Sequence, residues 1–160
     1  MSLESVRADL AARAPGLVVL VTDARTATVA EAAAVHGVHP AQIAKTLGVR
    51  LGGEVALVVL AGDARLDNRK WKDRFTSKAK MLGADEVLAA TGHPVGGVCP
   101  FGLPGAPGAI RVYADVSLRR FDEVVPAAGA PNAAVRVSPA RLAELAGAAW
   151  VDVAELPPGA

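Results

Sequence analysis

The sequence predicts one α+β or mixed α/β domain, and three observations carry that prediction. Short β-branched runs alternate with capped helical patterns, giving about seven strands and five helices with mixed connections. A Gly-Gly pair at 52–53 separates two apolar runs, which marks a tight hairpin. Neither an internal repeat nor a long linker divides the 160 residues.

The elements follow in order. Residues 3–13 read as a first helix, with Leu3, Val6, Leu10 and Arg13 at helical spacing and Pro15-Gly16 ending it. Leu17–Thr22 is a β-branched run of strand length. Thr28 and Glu31 form a capping box that opens a helix to about Val35, and Gly37 closes it. Ala41–Leu51 and Glu54–Leu60 are the hairpin strands, the second apolar almost throughout and therefore buried on both faces. Asp67–Leu82 reads as a basic helix, in one or two pieces, and Asp85–Ala90 as a short helix that Gly92 ends. Ten of the seventeen residues from Gly92 to Gly108 are Gly or Pro, so this stretch is a loop. Ile110–Ala114, Phe121–Pro126, Ala133–Val137 and Trp150–Val153 are strand candidates, with a turn at Asp115. Ser138-Pro139 caps a last helix that runs to Ala146 and stops at Gly147.

Composition narrows the function. Apolar residues are 52% and charged residues 21%, which is globular rather than disordered, and the net charge is +1, so a nucleic-acid role needs a local patch. A single cysteine, Cys99, forms no internal disulfide and fits a reducing compartment. The amino-terminal stretch lacks a basic, apolar leader pattern, and no apolar run approaches the ~20 residues of a membrane helix. A soluble, cytoplasmic protein is expected.

Four features could carry chemistry. Lys45 shares a strand face with Ile43, Leu47 and Val49, so it either snorkels out at the strand end or lines a wet pocket. The loop segment Gly96-Gly97-Val98-Cys99-Pro100 either cradles an oxyanion with its backbone or is a structural Ω-like loop. Cys99 and His93, six apart, admit a thiol nucleophile, against the commoner reading of Cys99 as a small packed hydrophobe. Arg65, Arg69, Lys70, Lys72, Arg74, Lys78 and Lys80, against Asp67 and Asp73, give a local charge of +5, with Trp71 and Phe75 four apart. That stretch either contacts phosphates or is a solvated face above buried aromatics. No metal site is expected: His36 and His39 stand alone, without zinc-ligand spacing, and His36 reads as a helix-end residue.

Taken together, these pieces resemble the YbaK/ProX family of trans-editing aminoacyl-tRNA deacylases, which is similar to the editing domain of bacterial prolyl-tRNA synthetases. The resemblance lies in Gln42-Ile-Ala-Lys45-Thr-Leu, the hairpin, the basic helix, Thr91 to Gly102 with its Gly-x-x-x-Pro element, and Val112-Tyr-Ala-Asp115-Val-Ser-Leu. It covers residues 20–154 and implies a curved, largely antiparallel mixed sheet around a central pocket with flanking helices. It implies hydrolysis of the ester of a mischarged tRNA carrying Ala, Cys, Ser or Thr, foremost on tRNA for proline. Lys45 corresponds to the family's lysine, which holds the terminal phosphate or the substrate. Gly96 and Gly97 belong to the loop that positions the ester and the attacking water, assisted by the tRNA ribose hydroxyl. Thr46, Val98, Cys99, Pro100, Phe101 and Asp115 are expected at the substrate, and the basic stretch (Arg74 aside) at tRNA. Cys99 stands where many relatives carry Ser. No cofactor is implied; the partners are the acceptor end of mischarged tRNA and, in some relatives, a synthetase. An inactive tRNA- or synthetase-binding module of the same fold is the alternative.

Overall fold

The computed structural model describes residues 2–160. Met1, where the leader-pattern reading begins, lies outside the described residues. In chain order the elements are α1 (Ser2–Arg13), β1 (Leu20–Val21), α2 (Val29–His36), β2 (Ile43–Leu51), β3 (Glu54–Ala61), β4 (Arg65–Leu66), α3 (Asn68–Phe75), β5 (Lys80–Met81), α4 (Ala84–Thr91), β6 (Arg111–Asp115), β7 (Val125–Pro126), β8 (Ala133–Ala134), α5 (Pro139–Ala146), β9 (Ala149–Val151) and β10 (Ala154–Glu155). Short 3-10 turns precede β2 at Pro40–Gln42 and follow β6 at Val116–Arg120.

The main sheet is built on the β2–β3 hairpin. Gly52 and Gly53 both have positive φ, 58° and 84°, as a two-residue turn matched to strand twist requires. β2 pairs antiparallel with β3 and β5 and parallel with β7, while β3–β6 and β6–β9 are parallel. The sheet is therefore mixed, with its antiparallel pairs around β2 and parallel strands at its flanks. Antiparallel pairs β1–β8 and β4–β10 stand beside it. β3 is buried from Ala56 to Ala61, as its apolar run predicts. Val6 and Leu10 of α1, Trp71 of α3, Leu142 and Leu145 of α5 and Phe101 of the loop pack into one continuous core with it.

The structure alters several sequence expectations. The runs 17–22, 121–126 and 133–137 contribute only two-residue strands, because their remaining backbone pairs with loops rather than with a long neighbour. The basic helix stops at Phe75, where Thr76 takes a left-handed cap (φ 59°). Lys78 consequently lies in irregular chain and Lys80 on β5. The turn expected at Asp115 is a 3-10 helix that Asp115 itself caps.

Asp115 is where the fold corrects a functional expectation. Its carboxylate is fully buried and accepts hydrogen bonds from the amides of Ser117 (2.9 Å) and Val153 (2.8 Å). One oxygen therefore caps the 3-10 helix that follows β6 and the other ties β6 to the segment that joins β9 to β10, and the residue does not line the cavity described below. Each charge-assisted bond of this kind contributes about 1.5–3 kcal/mol. Asp115→Ala is expected to lower the unfolding free energy by about 3 kcal/mol in a urea titration, while activity per folded molecule stays near that of the parent. Loss of activity with unchanged stability would return Asp115 to the site.

Candidate active site

A cavity of about 260 Å³ lies where α2, β2, the Gly-rich loop and β7–β8 meet. Ile43, Ala44, Lys45 and Thr46 of β2 form one wall. Thr28, Val29, Ala32 and His36 of α2 form a second, and Val95, Gly96 and Val98 of the loop a third. Val125, Ala127, Ala133 and Ala134 close it. Most of these side chains are small and apolar, which suits one small side chain with a few convergent polar groups.

Lys45 is half-buried, and its Nζ donates to the carbonyl of Gly62 at 3.2 Å. It takes part in no ion pair among the described residues. Burial pushes its pKa below the ordinary lysine value; the Asp63 carboxylate opposes this and Arg65 reinforces it. Asp63 is itself held by Arg120, with oxygen–nitrogen distances of 2.5 and 3.2 Å, so it leaves Lys45 only partly compensated. The carbonyl that receives Lys45 belongs to a position only glycine can fill, because a Cβ on Gly62 would come within 2.1 Å of the Pro40 carbonyl. A desolvated ammonium with spare donors at a cavity wall is a receptor for an anion.

The Gly-rich loop is ordered by close backbone contact. The Gly97 amide donates to the Pro94 carbonyl (2.9 Å), closing a turn with Gly96 third at φ 83°, the geometry of type II. A Cβ on Gly96 would lie 2.2 Å from the Thr26 carbonyl oxygen, and one on Gly97 2.6 Å from the Ala130 amide. Gly97 also accepts from the Gly129 amide at 3.0 Å. Gly97 therefore holds the loop onto the 129–131 segment with both main-chain groups, and has no free amide for an oxyanion. Gly96 and Val98 line the cavity, and their amides donate to no acceptor among the described residues.

Cys99, Pro100 and Phe101 are placed elsewhere than expected. Cys99 and Phe101 are fully buried beneath the loop, in the core and outside the cavity. Pro100 borders a separate, larger cleft. Burial pushes the Cys99 thiol up to about 12, so it carries no thiolate at neutral pH. His93 is buried too, its Nε2 against the Phe101 carbonyl (2.8 Å) and its Nδ1 against Ser2 Oγ (2.5 Å). Burial lowers its pKa, with the Phe101 carbonyl opposing, and the imidazole serves to tie α1 to the loop.

The larger cleft, about 840 Å³, runs between α1, residues 100–113 and the end of α5. Part of its polar lining is paired internally: Asp9 accepts from Arg13 and from the Gly102 amide, and Arg13 also donates to the Leu145 carbonyl. Arg111 borders it without an ion pair among the described residues. The smaller cavity is the better candidate because it brings Lys45 and the Gly96 and Val98 backbone to one space.

The basic residues divide. Arg65 pairs with Glu155 (3.2 Å), and Lys70 with Asp152 (3.1 Å) and the Ala154 carbonyl (2.9 Å). Trp71 and Phe75 pack against each other with ring planes tilted by 41° and centroids 4.4 Å apart, and Arg74 lies over Phe75. Arg69, Lys72, Lys78 and Lys80 form no ion pair among the described residues. Sequence reasoning missed the α2 wall, including His36, whose pKa is lowered by burial and then by Arg136. The Thr28 N-cap located that helix but not the face it presents.

With this geometry in place, comparison with known proteins is decisive. The aminoacyl-tRNA editing domain matches residues 23–145. The chain belongs to that family. It is 45% identical over 155 residues to the uncharacterized protein YwhH of Bacillus subtilis, covering 96% of this chain and 97% of that one. It is 33% identical over 135 residues to a proline–tRNA ligase of Solidesulfovibrio magneticus, covering 82% of this chain but only 22% of the ligase. Among solved structures, a candidate trans-editing enzyme for prolyl tRNA synthetase superposes with a TM-score of 0.85 at 33% identity, over 96% of this chain and 97% of that one. The hypothetical protein APE2540 gives 0.84 at 38% identity, over 94% and 99%. The chain is thus an editing domain related to that of prolyl-tRNA synthetases. No helix of the described residues is long and apolar enough to cross a membrane.

The inertness of Cys99 is testable. Iodoacetamide at pH 8 is expected to leave the native protein unmodified by mass spectrometry and to alkylate it once in denaturant. Rapid native alkylation with loss of activity would make Cys99 a nucleophile.

Proposed function

We propose that the chain is a deacylase that hydrolyses the ester between a wrong, small amino acid and the 3′ adenosine of tRNA, foremost tRNA for proline. The observation that carries this reading is Lys45, a partly compensated ammonium in the wall of a cavity sized for a small aminoacyl group. Lys45 binds the terminal nucleotide's phosphate, and the small apolar walls take Ala, Cys, Ser or Thr. One amide of the Gly96–Val98 segment donates to the attacking water and the water donates to the substrate's ribose hydroxyl, which leaves one lone pair of the water facing the ester carbon. The water oxygen bonds to the ester carbon, the bond to the ribose oxygen breaks, and that oxygen takes a proton. A pocket of this kind distinguishes a larger side chain sterically better than it distinguishes near-isosteres. Arg69, Lys72 and Lys78 supply sequence-independent contacts to the tRNA backbone, and Lys70 and Arg65 contribute once they leave their carboxylates. A synthetase that releases the mischarged tRNA is the expected second partner.

The test is deacylation of Ala-, Cys-, Ser- and Thr-tRNA for proline beside Pro-tRNA, with the parent and Lys45→Met. The parent is expected to release a small amino acid and to spare proline. Lys45→Met is expected to lose at least about 100-fold in kcat/KM, the scale of a lost electrostatic contact at the reacting centre. A lysine whose pKa is lowered on folding costs stability below that pKa, so Lys45→Met is expected to hold or raise Tm at pH 7. Tight tRNA binding without turnover would favour the inactive binding module.

Charge reversal at Arg69 and Lys72 is expected to raise KM and to flatten its salt dependence by roughly 0.7–0.9 in log–log slope per lost phosphate contact. An unchanged KM at low salt would remove α3 from the tRNA interface.

A further inference from the structure

The outer edge of β2 is interrupted, and the interruption opens into the cavity. Leu51 and Glu54 flank the two-residue turn, so Lys45, Leu47, Val49 and Leu51 exchange their main-chain hydrogen bonds with β3. The N–H and C=O groups of Ala44, Thr46 and Gly48 point to the opposite edge. The Leu82 amide, which donates to the Gly48 carbonyl at 3.0 Å, fixes that alternation. Gly48 is thus served from the β5 side, and Ala44 from β7, whose pairing comprises only Ile43↔Val125 and Ala44↔Pro126. The ladder has no further step, because the Gly129 amide, next in line, turns instead to Gly97. Thr46 is left between the two short strands, with neither main-chain group partnered among the described residues. Its Oγ1 is also buried without a partner. Thr46 and Ala127 both line the cavity.

A free N–H and C=O on one extended residue is half of an antiparallel hydrogen-bonded pair. The complementary half is a nitrogen donor and a carbonyl acceptor separated by one carbon. An aminoacyl ester carries that combination in its α-ammonium and ester carbonyl. We propose that the aminoacyl group docks as a one-residue antiparallel strand opposite Thr46, a proposal that rests on the deacylase reading above. The α-ammonium donates to the Thr46 carbonyl, and the Thr46 amide donates to the ester carbonyl oxygen. When water adds to the ester carbon, the carbonyl π electrons move onto that oxygen and the Thr46 amide stabilises the developing charge. The Gly96–Val98 segment is then left to hold the water. Recognition by main chain explains how one site serves several small side chains, since the contact reads the α-amino ester rather than what it carries. The substrate class is narrowed accordingly to esters with a free α-amino group.

The experiment compares each aminoacyl-tRNA of the panel with its des-amino counterpart, propionyl for alanyl and 3-hydroxypropionyl for seryl. Rates are expressed over each ester's own spontaneous hydrolysis. The expected result is at least a tenfold smaller enhancement for the des-amino esters. Equal enhancement overturns the docking mode while leaving the deacylase reading standing. Hydrolysis of no ester in the panel removes both. A semisynthetic protein with an ester in place of the Lys45–Thr46 amide removes the Thr46 N–H and weakens the Lys45 carbonyl, which accepts from β3. It is expected to lose only the small part of its Tm that the weakened Lys45 carbonyl accounts for, because the Thr46 N–H has no partner in the fold, and to lose about 100-fold in kcat. Unchanged kcat, or a loss of Tm instead of kcat, contradicts the role given to Thr46.

Discussion

The register of the β2–β3 hairpin is the constraint on which the rest depends. Gly52 and Gly53 close it with a turn that tolerates no slip, and that turn decides which residues of β2 bond inward to β3 and which bond outward. A one-residue shift would move Lys45 to the opposite face of the sheet and exchange the outward main-chain groups of Thr46 for those of its neighbours. It would also bring a different residue opposite Ala61, from whose neighbour Gly62 the Lys45 ammonium takes its carbonyl. The buried apolar surface of β3 makes such a slip expensive, so core packing and site geometry are specified by the same pairing.

Around that hairpin, the cavity exists because the neighbouring strands are short. β7 and β5 each cover two residues of β2 and leave the middle of its edge uncovered. Two glycines with no room for a Cβ press the 94–98 turn against Thr26 and the 129–131 segment, which brings a second backbone alongside that gap. In the proposed deacylase, specificity and catalysis rest on main-chain groups and one lysine. A site of this composition needs no thiol and no histidine, which accords with the buried, structural placement of Cys99 and His93.

Much of this was legible in the sequence where a residue type has one physical meaning. The Gly-Gly turn, the N-caps at Thr28 and Ser138 and the apolar run of β3 were readable, because each follows from local chemistry. Asp115, Cys99 and Phe101 were misplaced, because a resemblance puts a residue near a pocket without saying which way it faces. Asp115 points to two buried amides, and the residues on either side of the loop's Pro100 alternate into the core. The extent of the basic helix was overestimated, since Thr76 in a left-handed cap carries no strong sequence signal. The free edge of Thr46 could not be read at all, because it is set by where distant strands end.

The central claim is that the aminoacyl end of the substrate occupies the cavity at the β2 edge and meets Lys45, Thr46 and Gly96 there. The most direct measurement is an ¹H–¹⁵N titration of the protein with 3′-alanylamino-3′-deoxyadenosine, a non-hydrolysable analogue of the aminoacyl terminus. The account predicts that the largest saturable shifts fall on the amides of Thr46, Gly96 and Val98, with the Thr46 amide moving downfield as it gains an acceptor. Shifts confined to Asp9, Gly102 and the residues around the larger cleft would contradict it.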